Sequence, residues 1–148
     1  MKLVHNIKIS VFVRQGEDEQ LIREHLLKLV PFSLEEQKLT LKRRKAVGFG
    51  ERIIIIYELD LEKERHTNAF LESLREKLGG QQRAMLVAQE NRLDDELFFY
   101  LRLDKQRLHQ GEYLLTDGGE CYHIRLSIAA FPKKKEVALE AVRKIFSP

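Results

Sequence analysis

The residues best equipped for chemistry in this chain are cations and aromatic rings rather than nucleophiles. Lys42, Arg43 and Arg44 stand in one basic run, Lys105 and Arg107 follow an apolar alternation, and Arg125 lies inside another. Lys133, Lys134 and Lys135 close the series. Clustered Lys and Arg most often meet phosphate, through charge and through several N–H donors. Phe98 and Tyr100 alternate with core-type residues, so they are the rings that would stack on unpaired bases if their face is open. Lys135 and its neighbours enter a helix, where positive charge opposes the macrodipole and gains nothing locally. That conflict favours an external anion as their partner.

Catalysis and metal binding have poorer candidates. Cys121 and His123 stand two apart on a strand-like segment and share a face, with Asp117 nearby. A closed zinc site needs about four ligands, and these make three. Nothing around Cys121 lowers a thiol pKa or supplies an oxyanion hole, and no phosphate-loop, dinucleotide or metalloprotease motif occurs. The expectation is no catalytic residue, no metal and no cofactor. A single cysteine excludes an internal disulfide and fits a reducing, cytoplasmic setting.

These residues need elements to position them. His5 to Val13 alternates Ile7, Ile9, Val11 and Val13 against Lys8, Ser10 and Phe12, the period of a half-buried strand continuing to Arg14. Ile22, Leu26, Leu29 and Val30 form a helical stripe stopped by Pro31. The run from Lys42 reads as a mobile loop beside Gly48-Phe49-Gly50, and the four isoleucines 53–56 as a strand buried on both faces. Thr67 is placed to cap a helix that carries Phe70, Leu71, Leu74 and Leu78 and ends at Gly79-Gly80. A weaker helix follows over 81–92. Leu97, Phe99, Leu101 and Leu103 then alternate with Phe98, Tyr100 and Arg102. A short strand at 112–115 turns through Asp117-Gly118-Gly119, a hairpin signal, into a strand with Ile124, Leu126 and Ile128 inward and His123, Arg125 and Ser127 outward. Lys105 and Arg107 are expected at an exposed sheet end; the bland alternative is a polar loop that Asp104 ties to its own backbone. A closing helix buries Val137, Ala141, Val142 and Ile145.

At 148 residues, with 43% apolar and 33% charged positions, the chain is expected to be one globular α+β domain covering 1–148. Its sheet is mostly antiparallel, with helices packed on one face. Lys and Arg exceed Asp and Glu by only 26 to 23, so a basic footprint must come from clustering. No stretch approaches the roughly 20 apolar residues of a membrane span.

Several short motifs, in order along nearly the whole chain, resemble an archaeal family described as predicted RNA-binding proteins or predicted exosome subunits. They are His5-Asn6-Ile7, Ser10-Val11-Phe12-Val13, Gly48-Phe49-Gly50, Asp104-Lys105-Gln106, Thr116-Asp117-Gly118-Gly119, His123-Ile124-Arg125 and Ala130-Phe131-Pro132-Lys133-Lys134-Lys135. The resemblance implies a curved sheet like that of the large-subunit ribosomal protein that binds 5S ribosomal RNA. It also implies a non-catalytic RNA-binding protein with exosome or ribosome components as partners. The competing expectation is an interaction adaptor or homodimer subunit that buries Phe12, Phe98 and Tyr100 against protein.

Overall fold

Alternation of β-branched and charged residues builds the middle of this molecule, a computed structural model that describes residues 2–147. Strand β1 (Val4–Val13) is central, and the sheet order is β2-β3-β1-β5-β4 with every neighbouring pair antiparallel. The others are β2 (Lys42–Val47), β3 (Ile53–Leu61), β4 (Phe98–Asp104) and β5 (Cys121–Ile128). A shift in the β1–β5 register between Val4 and Asn6 lets both Val4 and Ile7 point inward, although they are three residues apart. Helices α1 (Glu19–Lys28), α2 (Glu64–Ala88) and α4 (Lys135–Phe146) pack on one face. They bury Ile22, Leu26, Phe70, Leu74, Leu86, Val142 and Phe146 against Ile7, Ile9, Leu59, Phe99, Ile124 and Leu126. The expected α+β architecture, with helices on one face, is the observed one.

Several expectations need correction. Lys42, Arg43 and Arg44 are not a mobile loop: they form an edge strand in register with Glu58, Tyr57 and Ile56. A sequence of charges makes a poor core strand but a good edge, because side chains at an edge stay solvated and discourage further pairing. Ile53 is exposed while Ile55 and Ile56 are buried, so β3 is covered only where its neighbours and α1 reach it. Thr67 lies one turn inside α2 and donates its hydroxyl to the Glu64 carbonyl. Gly79 breaks the helix as expected, with φ 76°, and the second helix expected over 81–92 follows at once but stops at Ala88.

Residues 112–115 do not form a strand with β5. They run along the outer edge of β4, where Asp104 N donates to the Leu114 carbonyl and Thr116 N to the Arg102 carbonyl. The side-chain amide of Gln82 occupies the other side: it donates to the Tyr113 carbonyl and accepts from Leu115 N, at 2.6 and 2.8 Å. The Asp117-Gly118-Gly119 segment is therefore a loop leading into β5, and neither glycine takes a positive φ. A short helix, α3 (Lys105–His109), replaces the expected loop after β4, with Asp104 accepting from Arg107 N at 2.9 Å as its cap.

Candidate functional site

The face of the sheet turned away from the helices collects the second register of every strand. Cross-strand pairing aligns Tyr100 with Arg125, Arg125 with Lys8, and Lys8 with Asp60. The next row runs Arg102, His123, Ser10, Glu58, Lys42. In the row after that, Ile56 is buried between its cross-strand neighbours Phe12 and Arg44. Neighbouring strands lie about 4.8 Å apart, so five strands present a platform roughly 20 Å wide. A shallow concavity at its centre is lined by Lys8, Ser10, Phe12, Tyr100, Arg102, His123 and Arg125.

Charge on this face is uneven. Within the strand register of this face, Lys8, Lys42, Arg44, Arg102 and Arg125 stand against Glu58, Asp60 and Asp104. Of these, Asp104 is committed to capping α3, and Asp94 reaches the same face at the Tyr100 hydroxyl. Glu58 bridges Arg44 at 2.7 Å and Lys8 at 3.3 Å; these partners hold its carboxyl below the ordinary range against the opposing effect of partial burial. Lys42 pairs with Asp60 at 3.4 Å. The β4–β5 half differs. Arg102 donates to the Asp117 and Gly118 carbonyls at 3.2 and 3.3 Å, and Arg125 stacks its guanidinium 4.3 Å over the Phe98 ring. Neither has a carboxylate within ion-pair distance among the described residues, and Arg125 Nε is shielded from water with no acceptor. A guanidinium held over a ring, with no carboxylate in ion-pair range among the described residues, suits an anion.

The aromatic groups have distinct positions. Tyr100 is well exposed, and its hydroxyl donates to Asp94 at 3.1 Å. Phe98 is partly covered by Arg125, so it orients that guanidinium rather than offering a free ring. Phe12 tilts against His123 at 5.3 Å between centroids. Burial, reinforced by the charges of Arg102 and Lys105, lowers the His123 pKa and keeps the ring neutral near pH 7. Cys121 lies 3.6 Å from His123 Nε2 but is buried, and burial pushes its thiol pKa up, the opposite of activation.

Other sequence-selected cations fall elsewhere. Lys105 is 5% exposed, and its ammonium is held by the Phe12 carbonyl at 2.8 Å and by Glu17 at 3.1 and 3.2 Å. It is a structural strut rather than an exposed contact, because the first turn of α3 aims it inward across the end of β1. Arg43 shares its register with Tyr57 on the helix side, where both bind Glu19 of α1. Arg107 pairs with Glu112 on the outer surface of α3 at 3.1 Å. Lys133 and Lys134 are exposed in the loop before α4, and Lys135, its first residue, reaches Asp95 at 3.0 Å. Lys42, Arg44, Arg125, Phe98 and Tyr100 are thus brought onto one face; Arg43, Lys105 and Arg107 are not. Lys8, Arg102 and His123, which the alternation assigns to the same outward register, join the site. Their two-residue period was readable, but which strands would be neighbours was not.

Three comparisons bear on what such a face does. A family model described as RNA binding matches residues 6–129. An RNA-binding protein of Pyrococcus abyssi is 31% identical over 141 residues, spanning 95% of this chain and 92% of that protein. Among solved structures, a DUF54 protein from Methanothermobacter thermautotrophicus superposes with a TM-score of 0.78 at 30% identity, covering 98% of this chain and 99% of the other. A DUF54 protein from Archaeoglobus fulgidus gives 0.84 at 28% identity, with 96% and 99% covered.

Proposed function

The chain belongs to the RNA-binding family, and from that premise we propose that the open sheet face is its RNA-contacting surface and that the protein acts without catalysis. The observation that carries this reading is the Tyr100–Arg125–Phe98 cluster. There, one exposed ring adjoins a guanidinium that lies over a second ring and has no carboxylate partner among the described residues. Arg125 and Arg102 would take phosphates, and Lys8, Lys42 and Arg44 would extend the track across β1, β3 and β2. Tyr100 would stack on an unpaired base. Lys133 and Lys134, exposed beyond the end of β5, would add phosphate contacts at the border. Such a surface selects single-stranded or irregular RNA by shape and stacking rather than by a base code. The motif resemblance to predicted exosome subunits supports a place in RNA processing or ribosome-related work.

Fluorescence polarisation with a labelled single-stranded RNA across a salt series tests the assignment. Each single-strand phosphate neutralised contributes about 0.7 to the log–log salt slope. Replacing Arg102 and Arg125 together by Ala should therefore weaken binding and flatten the slope by about 1.4, two phosphates at that value. An unchanged slope would remove these arginines from the interface, and no binding even at low salt would remove RNA.

A second reading has one observation in its favour. The outer edge of β2 has no strand partner among the described residues, and Phe12 and Tyr100 are exposed on the sheet face at the central strand and the far edge strand, which would suit a homodimer or an adaptor. The charged sequence of that edge argues against it. Light scattering decides: a dimer dispersed by Phe12→Ala or Tyr100→Ala would favour protein contacts.

A further inference from the structure

The connection between β2 and β3 is more than a turn. Gly48 N donates to the Arg52 carbonyl at 2.6 Å, closing a loop in which Gly50 and Glu51 both adopt positive φ, at 72° and 61°. A glutamate there is in a conformation that L-residues avoid, and a Cβ on Gly48 would fall 2.9 Å from Ile54 Cδ1. This closed, constrained loop holds Phe49 fully exposed, with Val47 and Ile53 also exposed at its base. A lone exposed apolar residue is ordinary; a strained loop that displays a ring is not.

Two guanidinium groups stand beside Phe49, while Glu17, Glu19 and Glu51 line the neighbouring depression. Arg14 and Arg52 line the same depression as Phe49, Ile53 and Ile54. Arg52 has no acidic partner among the described residues, and the only one of Arg14 is Glu120 at 3.6 Å. The strand cations Lys42, Arg43 and Arg44 are already paired with Asp60, Glu19 and Glu58, so the charge available at the tip is that of Arg52 and Arg14. Ile54 continues the open-face register of Ile56, so the tip prolongs that platform past its edge row of Phe12 and Arg44. An apolar protein pocket would have to desolvate these guanidinium groups, whereas a polyanion satisfies them.

We propose that Phe49 is a base-stacking finger: it engages an unpaired RNA base while Arg14 and Arg52 take the flanking phosphates. The inference rests on the open face being an RNA surface, and adds to it a preference for RNA with a bulged or flipped-out nucleotide. The probes are a labelled RNA hairpin with one unpaired adenine in its stem and the same hairpin without it. Wild-type protein should prefer the bulged hairpin, and Phe49→Ala should lose that preference with a drop of about five-fold or more, given ~1–3 kcal/mol per stacked base. The salt slope should stay unchanged. The chain has no tryptophan, so Phe49→Trp installs a single tryptophan, excited selectively over the tyrosines, that should keep the affinity and be quenched by the bulged hairpin. If Phe49→Ala binds both hairpins like the wild type while Arg102→Ala with Arg125→Ala fails, the finger is overturned and the face stands. If the wild type binds no RNA at low salt, the underlying reading falls. Tryptophan emission that shifts with protein concentration in the absence of RNA would replace the finger with a self-association site.

Discussion

Glu58 is the carboxylate that most directly opposes an anionic ligand on the open face. It holds Arg44 at 2.7 Å and Lys8 at 3.3 Å, and those partners keep it ionised below the ordinary carboxylate range. Removing its charge releases two cations and abolishes one repulsion. Glu58→Gln should therefore tighten RNA binding by roughly two- to ten-fold and steepen its salt dependence, on the scale of about 1 kcal/mol for a partly exposed ion pair. Polarisation measurements check it, and weaker binding would mean that Lys8 and Arg44 need Glu58 to hold them in place. Lys105 illustrates the opposite case. Its charge is real, but the Phe12 carbonyl and Glu17 consume its donors. Nothing in the string Asp104-Lys105-Gln106-Arg107 distinguishes a buried strut from a surface contact, because the difference lies in where α3 turns relative to the end of β1.

At the scale of elements, α1 is fastened to the β2–β3 hairpin by one cluster. Glu19 accepts from Arg43 Nε at 2.8 Å and from the Tyr57 hydroxyl, and these bonds, against some desolvation, hold its carboxyl at about 2. A folded pKa below the ordinary value of 4.5 means that the stabilisation is fully present above pH 4.5. It disappears as the pH falls toward 2. Glu19→Gln should accordingly flatten the acid limb, giving a smaller loss of denaturation midpoint between pH 5 and pH 2.5 than in the wild type. An identical acid limb in the variant would show that the clamp does not contribute. The elements themselves were legible to different degrees. The two-residue period exposed β1, β4 and β5, and the helical stripes exposed α1 and α4. β2 was not legible, since Lys42-Arg43-Arg44-Lys45 has no apolar alternation and acquires strand form only from pairing with β3. Nor was the path of residues 112–116, because the partner that completes it is Gln82, a side chain on a distant helix.

Over the whole molecule, a net charge of +3 is too small to drive binding by itself, so location has to matter. Charges off the open face should leave the salt slope untouched: Arg107→Ala removes a cation but only frees Glu112 on the outer surface of α3. Its log–log slope should match the wild type within error, whereas a drop of about 0.7, one single-strand phosphate, would place α3 in the interface. The sequence alone determined the α+β class, the inward register of the central strands, and the alternation that sets Phe98, Tyr100, Arg102, His123 and Arg125 opposite the core. These follow from local periodicity, which needs no knowledge of neighbours. The tertiary structure decided which of those strands lie side by side. It placed β5 between β1 and β4, so that Arg125 meets Phe98, Tyr100 and Lys8. It turned Arg43 and Lys105 away from the site, and it carried Phe49 to the tip of a closed loop. Strand order, side-chain pairing and burial depend on contacts between residues far apart in the chain, which is why a run of cations can be read from the sequence but their convergence cannot.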